Sequence, residues 1–411
     1  MEKATIFGSK RLSAWNMLIC LFILQILVAL IGRSISPLGI VIGEDLSLSK
    51  TQIGLLPAAF YLGQSITSIP MGLLTDSIGS KKMIILVTYC LGLSFMGATF
   101  TGGLVLLLVL LFISGAGYGA MQPTSNRGVL YWFSTKTRGT AMGMKQMGVT
   151  LGSALSALIL LPLSNSFGWR PTIFVASIVL MVFGTIAFFY YSEPSSIKKQ
   201  QTLIQPKSIF SSFISVFKQK TLILISMAAM ALCSSQLILN TYIVLFAYEQ
   251  LQLSIFLSGI LLVISEISGS LGRIGWGMIS DKIFKGERVI ALIIIAVISG
   301  IASLTIAFLP QSTPFSFVIG IIIIFGFCIS GFNGIWMNAA TEIVPREKSG
   351  AASGISLMLG TMGIVFGPPI FGYIVETSTE YMFGWLYLTS LTIIATVLLS
   401  FALKLSKTGN K

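Results

Sequence analysis

Five charged side chains fall inside long apolar stretches of this sequence: Arg33, Arg127, Lys145, Glu266 and Arg273. A charge at the centre of a bilayer costs at least about 2.5–3.5 kcal/mol on insertion scales, so each needs a partner or a task. Four of the five are cations, and three of those stand in the first half of the chain. The chemistry open to such a set is anion recognition. Guanidinium and ammonium groups give carboxylates their shortest and strongest hydrogen bonds. Enzyme chemistry is not indicated. The chain has no histidine, and no nucleophile–base pair or metal-ligand cluster stands out, so neither a metal nor a cofactor is expected.

The stretches that hold these charges read as membrane spans. The 411 residues are 55% hydrophobic and only 9% charged, with a mean hydropathy of +0.92. Soluble domains carry about 25% charged residues. Backbone in lipid must satisfy its own hydrogen bonds, and the apolar runs lack the period-2 alternation of barrel strands, so helices are expected. Twelve spans follow at 13–43, 52–73, 82–100, 103–131, 138–163, 169–191, 219–249, 254–277, 289–309, 314–341, 349–375 and 383–404. The first is too long for a cleavable signal and is followed directly by the second.

Twelve spans put both termini on one side. That side collects Lys10, Arg11, Lys81, Lys82, Lys198, Lys199, Lys404 and most other basic residues, whereas the opposite loops hold only Lys50 and Arg170. The basic side is cytoplasmic by the positive-inside rule, giving a multi-pass protein of the cytoplasmic membrane with both termini inside. The net charge of +13 is then a topology signal facing the lipid bilayer, and no nucleic-acid partner is expected. Cys20, Cys90, Cys233 and Cys328 lie inside spans and read as small apolar packers.

The chain also repeats itself. Gly72-Leu-Leu-Thr-Asp76-Ser-Ile-Gly79-Ser-Lys81-Lys82 is echoed by Gly277-Met-Ile-Ser-Asp281 with Lys285, Gly286 and Arg288 beyond it. Gly139-Thr-Ala141-Met-Gly143 and Gly152 in span 5 are echoed by Gly350-Ala-Ala352-Ser-Gly354 and Gly363 in span 11. Small residues so placed let helices approach closely in lipid. A six-helix half at 1–191, a polar cytoplasmic linker at 192–218 and a second half at 219–411 are expected. The repeat-mates of Arg33, Arg127 and Lys145 lie near Asn240, Asn338 and Ser356, so one wall of a cavity is cationic and the other neutral and polar.

These features resemble a major facilitator superfamily transporter over the whole chain. The stretch from Gly72 to Lys82 is similar to that family's signature loop, and the Asp281 copy stands where the family has its second. Finer likeness is to the anion-transporting branches, among them anion:cation symporters and cyanate-transporter-like proteins. It rests on Arg33-Ser-Ile-Ser-Pro37, on Asn126-Arg127 at the end of span 4, on Gly143-Met-Lys145-Gln146-Met-Gly148, and on Gly272-Arg273-Ile-Gly-Trp-Gly277. The resemblance implies alternating access between two six-helix halves, with the signature loop locking the cytoplasmic face. Asp76, Lys81, Lys82, Arg138 and Asp281 are the gating residues on that view. The chain departs from the family at groups tied to proton coupling. Leu111 stands where an Arg is common, and Gly32 and Tyr118 stand where anion:cation symporters carry acids. Ser153 follows Gly152 where drug antiporters have proline.

Arg33 is the candidate for direct contact with an anion, with Arg127 and Lys145 supplying positive potential from the cytoplasmic side. Arg33 either clamps a carboxylate with its planar fork or snorkels to the outer interface. Tyr118, Gln122 and Asn126 recur every four residues and form one polar stripe, lining a pore or bonding a neighbouring helix. Gln146, Asn240, Asn333 and Trp336 complete the substrate-facing set. Glu266 is a proton carrier or an ion-pair partner for Lys145 or Arg273. The expected function is secondary active transport of a small carboxylate-type anion, coupled to protons or run as exchange, by a monomer. Drug efflux is the alternative, and a non-transporting membrane sensor the second.

Overall fold

In a computed structural model, residues 2–193, 219–344 and 349–408 are described, and no strand occurs among them. The expected linker falls outside them apart from Ser192 and Glu193. Every expected span is helical. Among the described residues, eleven spans are long and apolar enough to cross a membrane. The twelfth, span 2 at Lys50–Ile78, is 29 residues long but carries more polar side chains.

Four spans are interrupted, and proline explains three of the breaks. Span 1 consists of the helices Glu2–Gly32 and Ile35–Asp45, parted at Arg33 and Ser34. Pro37 has no N–H to give the carbonyl of Arg33, four residues back. Span 4 consists of Leu104–Gly119 and Met121–Trp132, and Pro123 stands four residues after Gly119. Span 5 runs through Thr135–Leu155, a π turn at Ser156–Leu160, and Leu161–Phe167. There Pro162 is four residues after Leu158. Span 10 divides into Phe315–Ile329 and Asn333–Glu342 with no proline. Its Gly331 lies so close to span 8 that a Cβ would stand 2.8 Å from the carbonyl carbon of Gly272.

The remaining spans are single helices: Ser80–Ala98, Trp169–Tyr190, Lys220–Glu249, Ile255–Lys282, Arg288–Ala307, Ser349–Ser378 and Tyr381–Thr408, for spans 3, 6, 7, 8, 9, 11 and 12. The signature stretch proves more helical than its polarity suggests. Span 2 continues through Asp76 to Ile78, and span 8 through Asp281 to Lys282. The connection after span 2 is Gly79 alone, at φ +86°. That backbone favours glycine, and a Cβ there would lie 2.8 Å from the Glu193 carboxylate. Polar residues at a helix end keep their backbone bonds while their side chains reach water.

The chain forms two compact units. One takes the residues up to Val41 and those from Ala59 onward through span 6; the other takes Ile42–Ala58 with spans 7 to 12. In the second unit Lys50 Nζ lies 2.5 Å from Glu249, and the Tyr242 hydroxyl lies 2.8 Å from the Lys50 carbonyl. Glu376 accepts from the backbone N–H of Thr51 at 3.2 Å, at the start of span 2.

The repeated glycines divide by role. A Cβ on Gly152 would lie 2.4 Å from the Ile26 carbonyl of span 1, and one on Gly363 would lie 1.9 Å from the Met230 carbonyl of span 7. The same helix pair is thus in backbone contact in each unit. Gly143 and Gly354 have nothing within 4 Å, so close packing does not explain them. Gly152→Val and Gly363→Val are each expected to lose about 1–3 kcal/mol or more by overpacking. Gly143→Ala should be neutral or stabilising. Thermal denaturation in detergent reads the difference, and equal melting points for all three variants would contradict the packing.

Candidate functional site

The arginines are used at helix ends. Arg127 Nη1 donates to the Thr75 carbonyl at 2.8 Å and lies 3.4 Å from Asp76 Oδ1. Its guanidinium also stands 5.1 Å from the centre of the Tyr131 ring. Arg138 donates to the carbonyls of Leu130 and Phe133, both at 3.3 Å. Arg273 Nε donates to the Ser330 carbonyl at 3.2 Å, where the outer helix of span 10 stops. Arg138 and Arg273 meet carbonyls that a helix C-terminus leaves without an intrahelical partner, at the negative end of the dipole, whereas the Thr75 carbonyl met by Arg127 also accepts from the backbone N–H of Gly79.

Arg127, expected in the anion-binding group, lies beside Asp76, expected among the gating residues. Arg138, expected among the gating residues, holds the end of span 4 instead. Asp281 pairs with Arg288, which also lies 3.5 Å from Glu342. The ends of spans 2 and 8 therefore both carry an Asp–Arg pair. Lys81 stands 5.2 Å from the Phe188 ring centre, and Lys82 is exposed. Glu193, which sequence reasoning did not single out, accepts from the backbone N–H groups of Ser80 at 2.5 Å and Lys81 at 3.4 Å. Its carboxylate caps span 3.

Lys145 is placed differently. Its side chain is 1% exposed, and Nζ donates to Gln122 Oε1 at 2.8 Å and Asn126 Oδ1 at 2.7 Å. Both acceptors are neutral amides on span 4, one turn apart, just beyond the break at Ala120. An ammonium has three N–H donors. Among the described residues no carboxylate bridges it and the third donor has no partner. Gln146 is half-buried beside it.

The break also splits the expected polar stripe. Gln122 and Asn126 share the inner helix, but Tyr118 belongs to the outer one and is 4% exposed, its ring 5.1 Å from that of Phe60. A Cβ on Gly32 would lie 2.8 Å from the Tyr118 ring. Two departures from the family pattern are thus one contact: an aromatic ring over a glycine, next to Arg33. Arg33 occupies the turn in span 1 and is partly buried.

The second unit has its own polar core. Glu266 is 1% exposed and accepts from Asn240 Nδ2 at 3.0 Å. Asn333 Nδ2 donates to Gln236 at 3.2 Å. The Trp336 N–H donates to Ser356 Oγ at 2.7 Å, which lies 2.9 Å from Ser226 Oγ, and the indole stacks on Phe332. Trp336 is thus tied into helix packing. Ser356, expected near the position that matches Lys145, also links its span to the one before it, here by accepting from Trp336. A neutral hydroxyl is enough for that link, so the charge of Lys145 needs another explanation.

The sequence profile described as the Major Facilitator Superfamily matches residues 21–368 and 286–411. The hexuronate transporter of Bacillus subtilis (strain 168) is 23% identical over 368 residues, 87% of this chain and 86% of that protein. The probable galactarate/D-glucarate transporter of the same strain is 23% identical over 401 residues, 91% of this chain and 88% of that protein. The crystal structure of a bacterial homologue of the human lysosomal transporter Spinster superposes with a TM-score of 0.82 at 17% identity, covering 95% of this chain and 97% of the other.

If Lys145 were only structural, its removal would weaken the fold. The geometry gives the opposite expectation. Lys145→Met removes an uncompensated buried charge, and the half-buried Gln122 and Asn126 can find water. Its ligand-free melting temperature should equal or exceed that of the parent protein. A fall of several degrees would show that the charge holds the helices together.

Proposed function

The chain belongs to the major facilitator superfamily, and from that premise we propose that it is a secondary active transporter. It moves a small organic anion of the carboxylate type across the cytoplasmic membrane by alternating access. One observation carries the reading: Lys145 is a fully buried cation whose described partners are neutral amides. A buried charge without a counter-charge is penalised by several kcal/mol, and an anionic substrate removes that penalty when it binds. Arg33, at the turn in span 1 of the same unit, supplies a second positive group. Drug efflux of cations has the wrong sign for such a site. The relatives named for hexuronate and for galactarate and D-glucarate support the same choice, since all three are carboxylates.

Uptake of labelled D-glucarate or D-galacturonate into proteoliposomes tests this. Lys145→Met loses a charge-assisted contact worth about 1.5–3 kcal/mol and should lower apparent affinity roughly ten- to a hundredfold. Parent-like anion uptake by Lys145→Met would remove the site. Transport of organic cations and not anions by the parent protein would overturn the substrate class.

A further inference from the structure

Gln25 in span 1 is 0% exposed, yet one end of its amide has no partner among the described residues. Two neighbours fix its place. The Ser125 hydroxyl lies 3.4 Å from Gln25 Oε1, and a Cβ on Gly148 of span 5 would stand 3.1 Å from Gln25 Cβ. Spans 1, 4 and 5 of the first unit meet at this side chain. Ser125 precedes Asn126, and Gly148 is one turn after Lys145. The Gln25 amide and the Lys145 ammonium therefore approach the same turn of span 4 from two sides.

The hydrogen bonds can be counted. Ser125 Oγ lies 2.8 Å from the Met121 carbonyl, a far better acceptor distance than 3.4 Å. A hydroxyl has one proton, and here it goes to the carbonyl. Ser125 can then only accept from Gln25, which requires the amide to be turned so that Nε2 faces Ser125. The amide oxygen becomes the unmet atom. In the other orientation the unmet atom is Nε2. Either way one end of a buried amide stays unsatisfied beside Ser125, the sequence neighbour of the Asn126 that holds Lys145. A hydroxyl group fits both cases, because it can donate to the oxygen or accept from the nitrogen. A carboxylate fits the lysine but only one of the two amide orientations.

We propose that Gln25 reads a hydroxyl of the substrate beside the carboxylate that Lys145 holds, so that the site prefers hydroxy acids to unsubstituted carboxylates. The inference rests on the anion-transport reading above and adds to it the residue that sets hydroxyl specificity.

D-Glucarate and adipate separate the two ideas, since both are six-carbon dicarboxylates and only the first bears hydroxyls. Their affinities would be measured by calorimetry on the purified protein, with Gln25→Met and Gln25→Glu alongside and monodisperse elution as the folding check. The parent protein should prefer glucarate by roughly three- to tenfold, the effect of one neutral hydrogen bond. Gln25→Met, which keeps the length and loses the amide, should abolish the preference. Gln25→Glu puts a carboxylate near Lys145 and should weaken both acids about tenfold or more. Equal parent affinities, or an undiminished preference in Gln25→Met, would overturn the hydroxyl assignment while leaving the anion reading standing. Binding of neither acid by the parent protein would count against the anion reading itself.

Discussion

The arrangement turns on one buried ammonium held by two amides. Lys145 lies where water cannot solvate it, on Gln122 and Asn126, with no described carboxylate to cancel its charge. A link between neighbouring spans does not itself need a charge: Ser356 joins spans 11 and 10 by accepting from Trp336. Two of the other cations inside the spans have clear structural employment. Arg127 and Arg273 meet helix-end carbonyls, which are local, permanent counterparts. Lys145 has polar support, which keeps it tolerable, but no opposite charge. That combination suits a site whose counter-ion comes and goes.

The breaks in the helices make this possible. A continuous span 4 would offer Tyr118, Gln122 and Asn126 along one face. The interruption at Ala120 leaves Tyr118 packed on Phe60 and Gly32 and presents only the two amides to Lys145. Pro37 does for Arg33 what Pro123 does for Gln122. Each frees a carbonyl four residues back and interrupts its helix next to the polar side chain. Close backbone contact at Gly152 holds the interrupted spans 1 and 5 together, and Gly363 makes the matching contact between the continuous spans 7 and 11.

Much of this was legible in the sequence. Long apolar runs placed the spans to within a few residues, because hydrocarbon thickness leaves little freedom. The scarcity of charges inside them picked out Lys145 and Glu266 without any structure. The breaks were written as well, in prolines four residues beyond each interruption of spans 1, 4 and 5, but an apolar run does not show whether a proline kinks or parts its helix. Partners were harder. Arg127 and Lys145 looked alike in depth and charge, and only the rotation of their helices sends one to a carbonyl beside Asp76 and the other to two amides. The Glu193 cap on span 3 joins residues more than a hundred positions apart, a distance no local pattern spans. Gln25 gave no such signal, since a lone amide in an apolar helix most often bonds a neighbouring helix.

The central claim is that the charge of Lys145 is answered by a carboxylate of the substrate. A high-resolution structure of the protein in complex with D-glucarate addresses it without recourse to mutants. The expected result is a carboxylate oxygen about 2.7–2.9 Å from Lys145 Nζ, with Gln122 and Asn126 still in place. A bound anion remote from Lys145, or Lys145 paired with a carboxylate of the protein itself, would contradict it.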